Sequence, residues 1–322
     1  MVTFVVRRLI SMVFVMFAIS VLTYAIFFAT PGVDPAARIA GRNADPATLA
    51  AVKHEFGLDR PFPIQYGLMM KKLFITRDLT SFVNRGSLVL PQIEGATPVT
   101  LSLVIGAAII WVVFAIGMGL AAAVFRGTFL DPLLMIIGLI GISMPVFWLG
   151  EVVNLITQDR LHSSIFSWVP PLGYTPITSD PFMWFKQLLF PWITLSFLYI
   201  GFYGRVLRSS LIESQNEDFV RTARSKGISE RRVLFRHVLR TSLIVFVSLF
   251  GLDFAALVGG GALLTEVVFG LPGVGYLTYQ SLENLDLPVI MATVMYAAFF
   301  VVAANALVDI LYAWLDPRVR PE

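Results

Sequence analysis

The chain has 322 residues, no cysteine, three histidines and a formal net charge of +3; 57% of it is hydrophobic and 14% charged. A mean hydropathy of +0.78 places such a chain in a bilayer rather than in solution. Without cysteine there are no disulfides or thiolate metal sites, and His54, His162 and His237 are too scattered to read as a metal centre. The basic pI of about 9.2 is no sign of nucleic acid, because the positive charge sits largely where the positive-inside rule puts it.

Arg7 and Arg8 precede an uncharged run at 9–28, which reads as an uncleaved first span with a cytoplasmic N-terminus. The run exceeds a signal peptide's apolar core, and no clear cleavage site follows before Pro31-Gly32. Residues 31–97 then form an external segment. Within it Asp45-Pro46 predicts the start of a short helix that Gly57 stops, and 61–75 predicts a second, amphipathic one. That second helix lies along the outer interface or caps the span ends, and its pattern suits both.

About 20 apolar residues cross a hydrocarbon layer of roughly 30 Å. Runs of that kind follow at 99–125, 132–150, 187–204, 241–265 and 287–308, the fourth of these broken only by Asp253. Six transmembrane helices are predicted, in an all-α polytopic membrane protein. Alternation puts 125–131 and 205–240 inside, 158–186 and 266–286 outside, and a 317–322 tail with Arg318 and Arg320 inside. The domain division is then 1–30, 31–97, a core at 98–316 and the tail at 317–322. No internal repeat is visible.

One stretch stands out. Residues 205–240 hold nine Lys/Arg against four Asp/Glu, a local balance of +5. Residues 218–225 predict a short helix ended by Gly227, and Ser229 predicts an N-cap for a second helix that runs into the next span. Phe219, Val220 and Ala223 share one face, with Arg221 and Arg224 off it. Such a helix suits docking into a groove on another protein, or contact with anionic headgroups.

Several motifs carry a resemblance. DFVRTARSKGISERRVLFRHVLR resembles the cytoplasmic "EAA" loop of ABC-importer permeases of the dipeptide/oligopeptide/nickel class. VRRLISMVFVMFAISVLTYAIFFATPGVDPA, DPATLAAVKHEFGLDRPFPIQY, GISMPVFWLG, GGGALLTEVVFGLPGVGYL and DPRVR are similar, in order, to other parts of the same class. The resemblance implies a type I importer permease fold in a bacterial or archaeal inner membrane, with both termini cytoplasmic. It implies as partners a second homologous permease, two ATPase subunits that bind ATP and Mg, an external solute-binding protein and membrane lipid. It assigns ATPase coupling to Asp218, Arg221, Thr222, Ala223 and Gly227 within the loop 210–240. It assigns an external gate loop to Glu266, Phe269, Pro272, Gly273 and Gly275. The sequence departs from the class in lacking a proline after His237 and a DLG-type motif at RDLTSFVNR, and in carrying Asp253 and Glu151 within spans.

Asp253 is the sharpest intramembrane candidate: a mid-span carboxylate lines a cavity for a cationic group, or pairs with a neighbouring helix. Glu151 and Asn154 read as interfacial residues near the end of the third span. Gly259-Gly260-Gly261 reads as a close contact with a partner span or as a hinge. Phe269-Gly270-Leu271-Pro272-Gly273 is expected to turn, since proline followed by glycine suits a type II turn. His237, beside several arginines, reads as a structural donor.

No GxxxxGK[ST] loop, nucleophile–base pair or metal constellation is present, so the chain reads as a non-enzymatic transport subunit that binds no cofactor. Di- or oligopeptides lead as solutes. Nickel chelates and glutathione are alternatives within the class. An autonomous secondary transporter and a membrane scaffold are alternatives outside it.

Overall fold

The computed structural model describes residues 2–28, 36–37, 45–55, 57–84 and 86–315. The expected tail at 317–322, with Arg318 and Arg320, and Pro31-Gly32 lie outside the described residues. The described residues form helices and turns, with one isolated antiparallel bridge, Thr80 to Leu88. In chain order the helices are α1 (Val2–Phe28), α2 (Pro46–Glu55), α3 (Phe62–Lys71), α4 (Val89–Val124), α5 (Leu130–Ser143), α6 (Val146–Asn154) and α7 (Pro181–Ser214). There follow α8 (Asp218–Ser225), α9 (Glu230–Val233), α10 (Leu239–Ala256), α11 (Leu263–Val268), α12 (Val274–Asn284) and α13 (Leu287–Leu315). Wide π-type turns extend α3 to Thr76, α6 to Arg160 and α10 to Gly261, and another joins α9 to α10.

Five stretches are long and apolar enough to cross a membrane: 6–27, 89–124, 181–214, 230–261 and 287–308. A sixth crossing requires α5 and α6 together, and they meet at 93°. The run at 132–150, expected as one transmembrane helix, is therefore divided between two helices at a sharp bend. The cause is local: Pro145 pushes Met144 into an extended conformation (φ −86°, ψ 124°), which ends α5. A sharp start is visible at α7, where the Asp180 carboxylate accepts the Phe182 and Met183 amides, both at 3.0 Å, with Pro181 at the first helical position.

At about 1.5 Å per residue, the 34 residues of α7 extend about 51 Å, well past roughly 30 Å of hydrocarbon. The helix is therefore about 20 Å longer than a single crossing requires.

The chain divides into two compact units, one of residues 1–98, 258–263 and 273–322, the other of 99–257 and 264–272. In the first unit α3 packs onto α1. Tyr24 donates to Gln65 Oε1 (3.1 Å), Ser20 and Tyr66 share a 2.6 Å bond, and Met69 and Leu73 enter a core with Val89, Ile93, Met291 and Met295. Phe74 and Ile75, on the following turn, remain exposed. The buried Asp286 carboxylate accepts the Ser81 hydroxyl and, at 3.0 Å, the Phe82 amide. The Gly259 contact expected with a partner span is made inside this unit: a Cβ there would lie 3.1 Å from the Ala297 backbone of α13. The adjacent Gly260 supplies the break, at φ 112°.

In the second unit α5 crosses α7 through glycines. A Cβ on Gly201 would stand 2.3 Å from the Gly138 carbonyl oxygen, so the two backbones touch with nothing between them. Gly204 leaves room for Met118 of α4 in the same way. Trp111 of α4, fully buried, stacks on Tyr199 with centroids 4.6 Å apart.

Candidate functional site

The basic loop between α7 and α10 folds as two short helices around a sharp turn. Glu217 is extended (φ −68°, ψ 151°) and α8 follows with Asp218 in its first turn and Arg224 in its last, both favourable to the helix dipole. Gly227 takes φ 73°; its amide bonds the Arg224 carbonyl (2.9 Å) and the Ile228 amide bonds that of Ala223 (3.3 Å). This pattern is a Schellman stop, which needs the left-handed conformation that glycine adopts without steric cost. Ser229 occupies the expected N-cap position, yet its side chain makes no capping bond. Arg224 compensates across the turn, reaching Glu230 through Nε (2.8 Å) and a second nitrogen (3.2 Å).

The three apolar residues of α8 do not act together. Val220 and Ala223 are buried against the chain, whereas Phe219 is 41% exposed. Adjacent residues differ by about 100° around a helix axis, so Phe219 and Val220 turn to different sides. The outer surface is left to Asp218, Phe219, Arg221, Thr222 and Lys226, all exposed. Beside the loop lies a largely apolar groove of about 590 Å³, lined by Val124, Phe125, Val233 and Phe235 together with Arg224 and Glu230.

Two contacts fix the base of this loop. Ser242 of α10 donates to Ser214 at the end of α7 (3.2 Å). Arg208 of α7 grips Asp131 of α5 with two nitrogens, each 2.6 Å from a different carboxylate oxygen. Sequence reading missed the second pair, because its members lie 77 positions apart. An aspartate at a helix start beside an apolar run was the available signal.

The five expected gate residues are divided between the two units. In the second unit Glu266 is fully buried on α11 and accepts the Thr100 hydroxyl at 2.6 Å. Phe269 is buried too and approaches Gly150, where a Cβ would meet its ring at 3.2 Å. Pro272 is exposed. In the first unit Gly273 precedes α12 and Gly275 lies in its first turn, both buried. The segment 269–273 turns as expected, but not as a type II turn at Pro272-Gly273: Gly273 has φ −89°, and the reversal occurs at Gly270 (φ 62°). The Leu271 amide bonds the Glu266 carbonyl (2.8 Å), so the turn is a Schellman stop to α11. Asn154, read as interfacial, is buried and donates to the Val268 carbonyl (2.9 Å), while Glu151 is exposed.

Within the membrane segments, Asp253 is half-buried and accepts the hydroxyl of the fully buried Tyr203 at 2.7 Å.

Two family matches cover almost the whole chain. Residues 114–321 match the family described as binding-protein-dependent transport system inner membrane component, and residues 1–104 match the N-terminal region of such membrane components. The chain belongs to this family. It is a multi-pass inner-membrane permease. Over 320 residues, 99% of both chains, the permease is 37% identical to a putative peptide transport system permease protein of Brucella abortus. It is 31% identical to the dipeptide transport system permease protein DppB of Alkalihalophilus pseudofirmus, covering 99% of this chain and 100% of that one. It is 34% identical to the glutathione transport system permease protein GsiC of Salmonella paratyphi A, over 99% of each.

Proposed function

We propose that this permease forms half of the solute pathway of an ATP-driven importer of di- or oligopeptides, and that segment 217–240 passes the ATPase cycle to the spans. The build of that segment carries the reading. Helix α8 is anchored through Val220 and Ala223, fixed by the Gly227 stop and the Arg224–Glu230 pair, and leaves Phe219, Arg221 and Lys226 outward. Contact with headgroups needs only loosely held basic side chains, whereas a rigid two-turn helix with one aromatic knob suits a groove on a soluble protein.

Asp218, Arg221 and Thr222 supply contact surface, Ala223 the anchor and Gly227 the turn. Two ATPase subunits bind ATP and Mg, and this chain binds neither. A second homologous permease completes the pathway, and an external binding protein delivers solute near 266–275. There Glu266 and Phe269 brace the loop from within, Gly273 and Gly275 shape the start of α12, and Pro272 is exposed. Both termini are cytoplasmic, following Arg7 and Arg8. The names of the Brucella and Alkalihalophilus relatives support peptides. The Salmonella relative favours glutathione as a second reading.

The test is co-purification of the tagged, gently extracted chain. The native loop is expected to retain ATP-hydrolysing subunits and a second permease, and a Phe219→Asp, Arg221→Glu variant to keep the permease and lose the ATPases. A chain that purifies alone and intact in both cases defeats the docking role. Uptake of labelled dialanine against labelled glutathione separates the two solutes.

A further inference from the structure

Beyond its first residue, the 230–261 crossing helix carries one carboxylate, Asp253. Among the described residues its hydrogen-bond partner is the Tyr203 hydroxyl, and no cation pairs with it. A charged side chain near the centre of a span costs about 2.5–3.5 kcal/mol against lipid, so such groups face water or a partner of opposite charge. Asp253 is only half-buried, so this subunit does not enclose it.

The surroundings define what kind of group would answer it. Phe250 lies one turn before Asp253 and Phe254 follows it, the two rings 5.6 Å apart and near-parallel. Tyr199 lies one turn before Tyr203 on α7, with centroids 6.3 Å apart. These three rings are half-buried, like the carboxylate. Aromatic faces attract cations through the ring quadrupole, and the attraction grows where water is excluded. The Tyr203 hydroxyl occupies one carboxylate oxygen, Oδ2, and fixes the group's orientation; Oδ1 is left for an incoming donor. Tyr199 already stacks on Trp111, and Phe250 and Phe254 on each other, so these rings supply an apolar, polarisable surround. The oriented carboxylate within it suits an organic ammonium and repels a free carboxylate.

We propose that Asp253, oriented by Tyr203 and flanked by Tyr199, Phe250 and Phe254, is an intramembrane site for an alkylammonium group, such as the protonated terminal amine of a peptide in transit. The assignment rests on the reading that this chain lines a solute pathway. An open half-site on one subunit is the form that a pathway shared between two permeases would take.

The chain has no native cysteine, so Ala256→Cys, at an exposed position three residues beyond Asp253, introduces its single thiol. In the assembled transporter this thiol is challenged with a cationic and an anionic methanethiosulfonate of similar size. Labelling is read by mass on this chain. The cationic reagent is expected to react about tenfold faster after correction for free thiol, an effect of the size one nearby charge exerts in a partly hydrated site. The preference should vanish in Asp253→Asn and persist in Asp253→Glu. Millimolar dialanine should slow labelling by a neutral reagent, whereas N-acetyl-dialanine should not. Equal rates for the two charged reagents, or a thiol that none of them reaches, overturn the site. Equal protection by both peptides overturns the ammonium assignment. Uptake of labelled dialanine by the unmodified transporter tests the pathway reading separately: charge preference without uptake would leave the site standing and remove the peptide function.

Discussion

Arg208 holds Asp131 through two parallel bonds of 2.6 Å, joining the first turn of α5 to the part of α7 that leads into the basic loop. Asp131 is 7% exposed and the Arg208 side chain 23%. Removing one partner strands a largely buried charge, and breaking such pairs costs about 3–5 kcal/mol. Asp131→Ala should therefore lower stability by about 3 kcal/mol in detergent melts. The Asp131→Leu, Arg208→Met double variant should recover most of that loss, because it removes both charges together.

Gly201 should tolerate no side chain. Its missing Cβ would overlap the Gly138 carbonyl, a backbone atom that cannot move without shifting α5. Gly201→Ala is expected to cost about 2–3 kcal/mol, the upper part of the range for overpacking. Gly117→Ala, on the neighbouring helix with nothing within 4 Å, should be neutral or slightly favourable. Parallel thermal melts of the two variants check the contrast.

Leu285 ends α12 with φ 53°, in the left-handed region that a bulky residue seldom occupies. The conformation is held in place because the next residue, Asp286, bonds Ser81 and Phe82. Leu285→Gly should raise stability by about 1 kcal/mol, and Leu285→Ile should lower it, since β-branching worsens the strain. Asp286→Ala leaves the Ser81 hydroxyl and the Phe82 amide buried without an acceptor, at an expected cost of about 2–3 kcal/mol. Chemical denaturation of all three checks the opposite signs at Leu285 and the size of the loss at Asp286.

At the basic loop the expected effects on stability and coupling separate. Arg224 and Glu230 are exposed, so Arg224→Ala should change stability by no more than about 0.5 kcal/mol. Gly227→Ala should cost about 1 kcal/mol locally through its positive φ. Both variants should weaken the stimulation of ATP hydrolysis by solute while leaving the melting temperature of the permease nearly unchanged. Equal loss of melting temperature and coupling would mean that the loop serves the fold alone.

The crossing helices were legible because each is a long apolar run, uncharged except at Asp253, and a bilayer demands little else of a sequence. The Gly227 stop was legible for a similar reason, since a glycine between two helical patterns is a local signal. Tertiary partners were not. Asp131 and Arg208, Thr100 and Glu266, and Tyr203 and Asp253 are each dozens of residues apart, and no periodicity links them. Helix phase was the other gap: Phe219 and Val220 are equally apolar, and only packing decides which turns inward. The break at Pro145 was missed, and the turn within 269–273 was given the wrong type and centre, although both signals were local. The apolar run at 132–150 hid the first, and the Pro-Gly dipeptide drew attention from the second.

The bare backbone contact at Gly201 also has a mechanical meaning. With no side chains to deform, it is placed to serve as a fulcrum if α7 tilts. From Gly201 back to Pro181 the helix measures about 30 Å, and onward to Ser214 about 20 Å. A tilt about that point moves the far end in the opposite direction, and about one and a half times as far, as the end that carries the basic loop. Pro191 lies in the longer arm, where its missing backbone hydrogen bond makes the lever softest. A push at the Ser214 end would thus be reversed and enlarged at the Pro181 end, to the extent that the arm stays straight at Pro191.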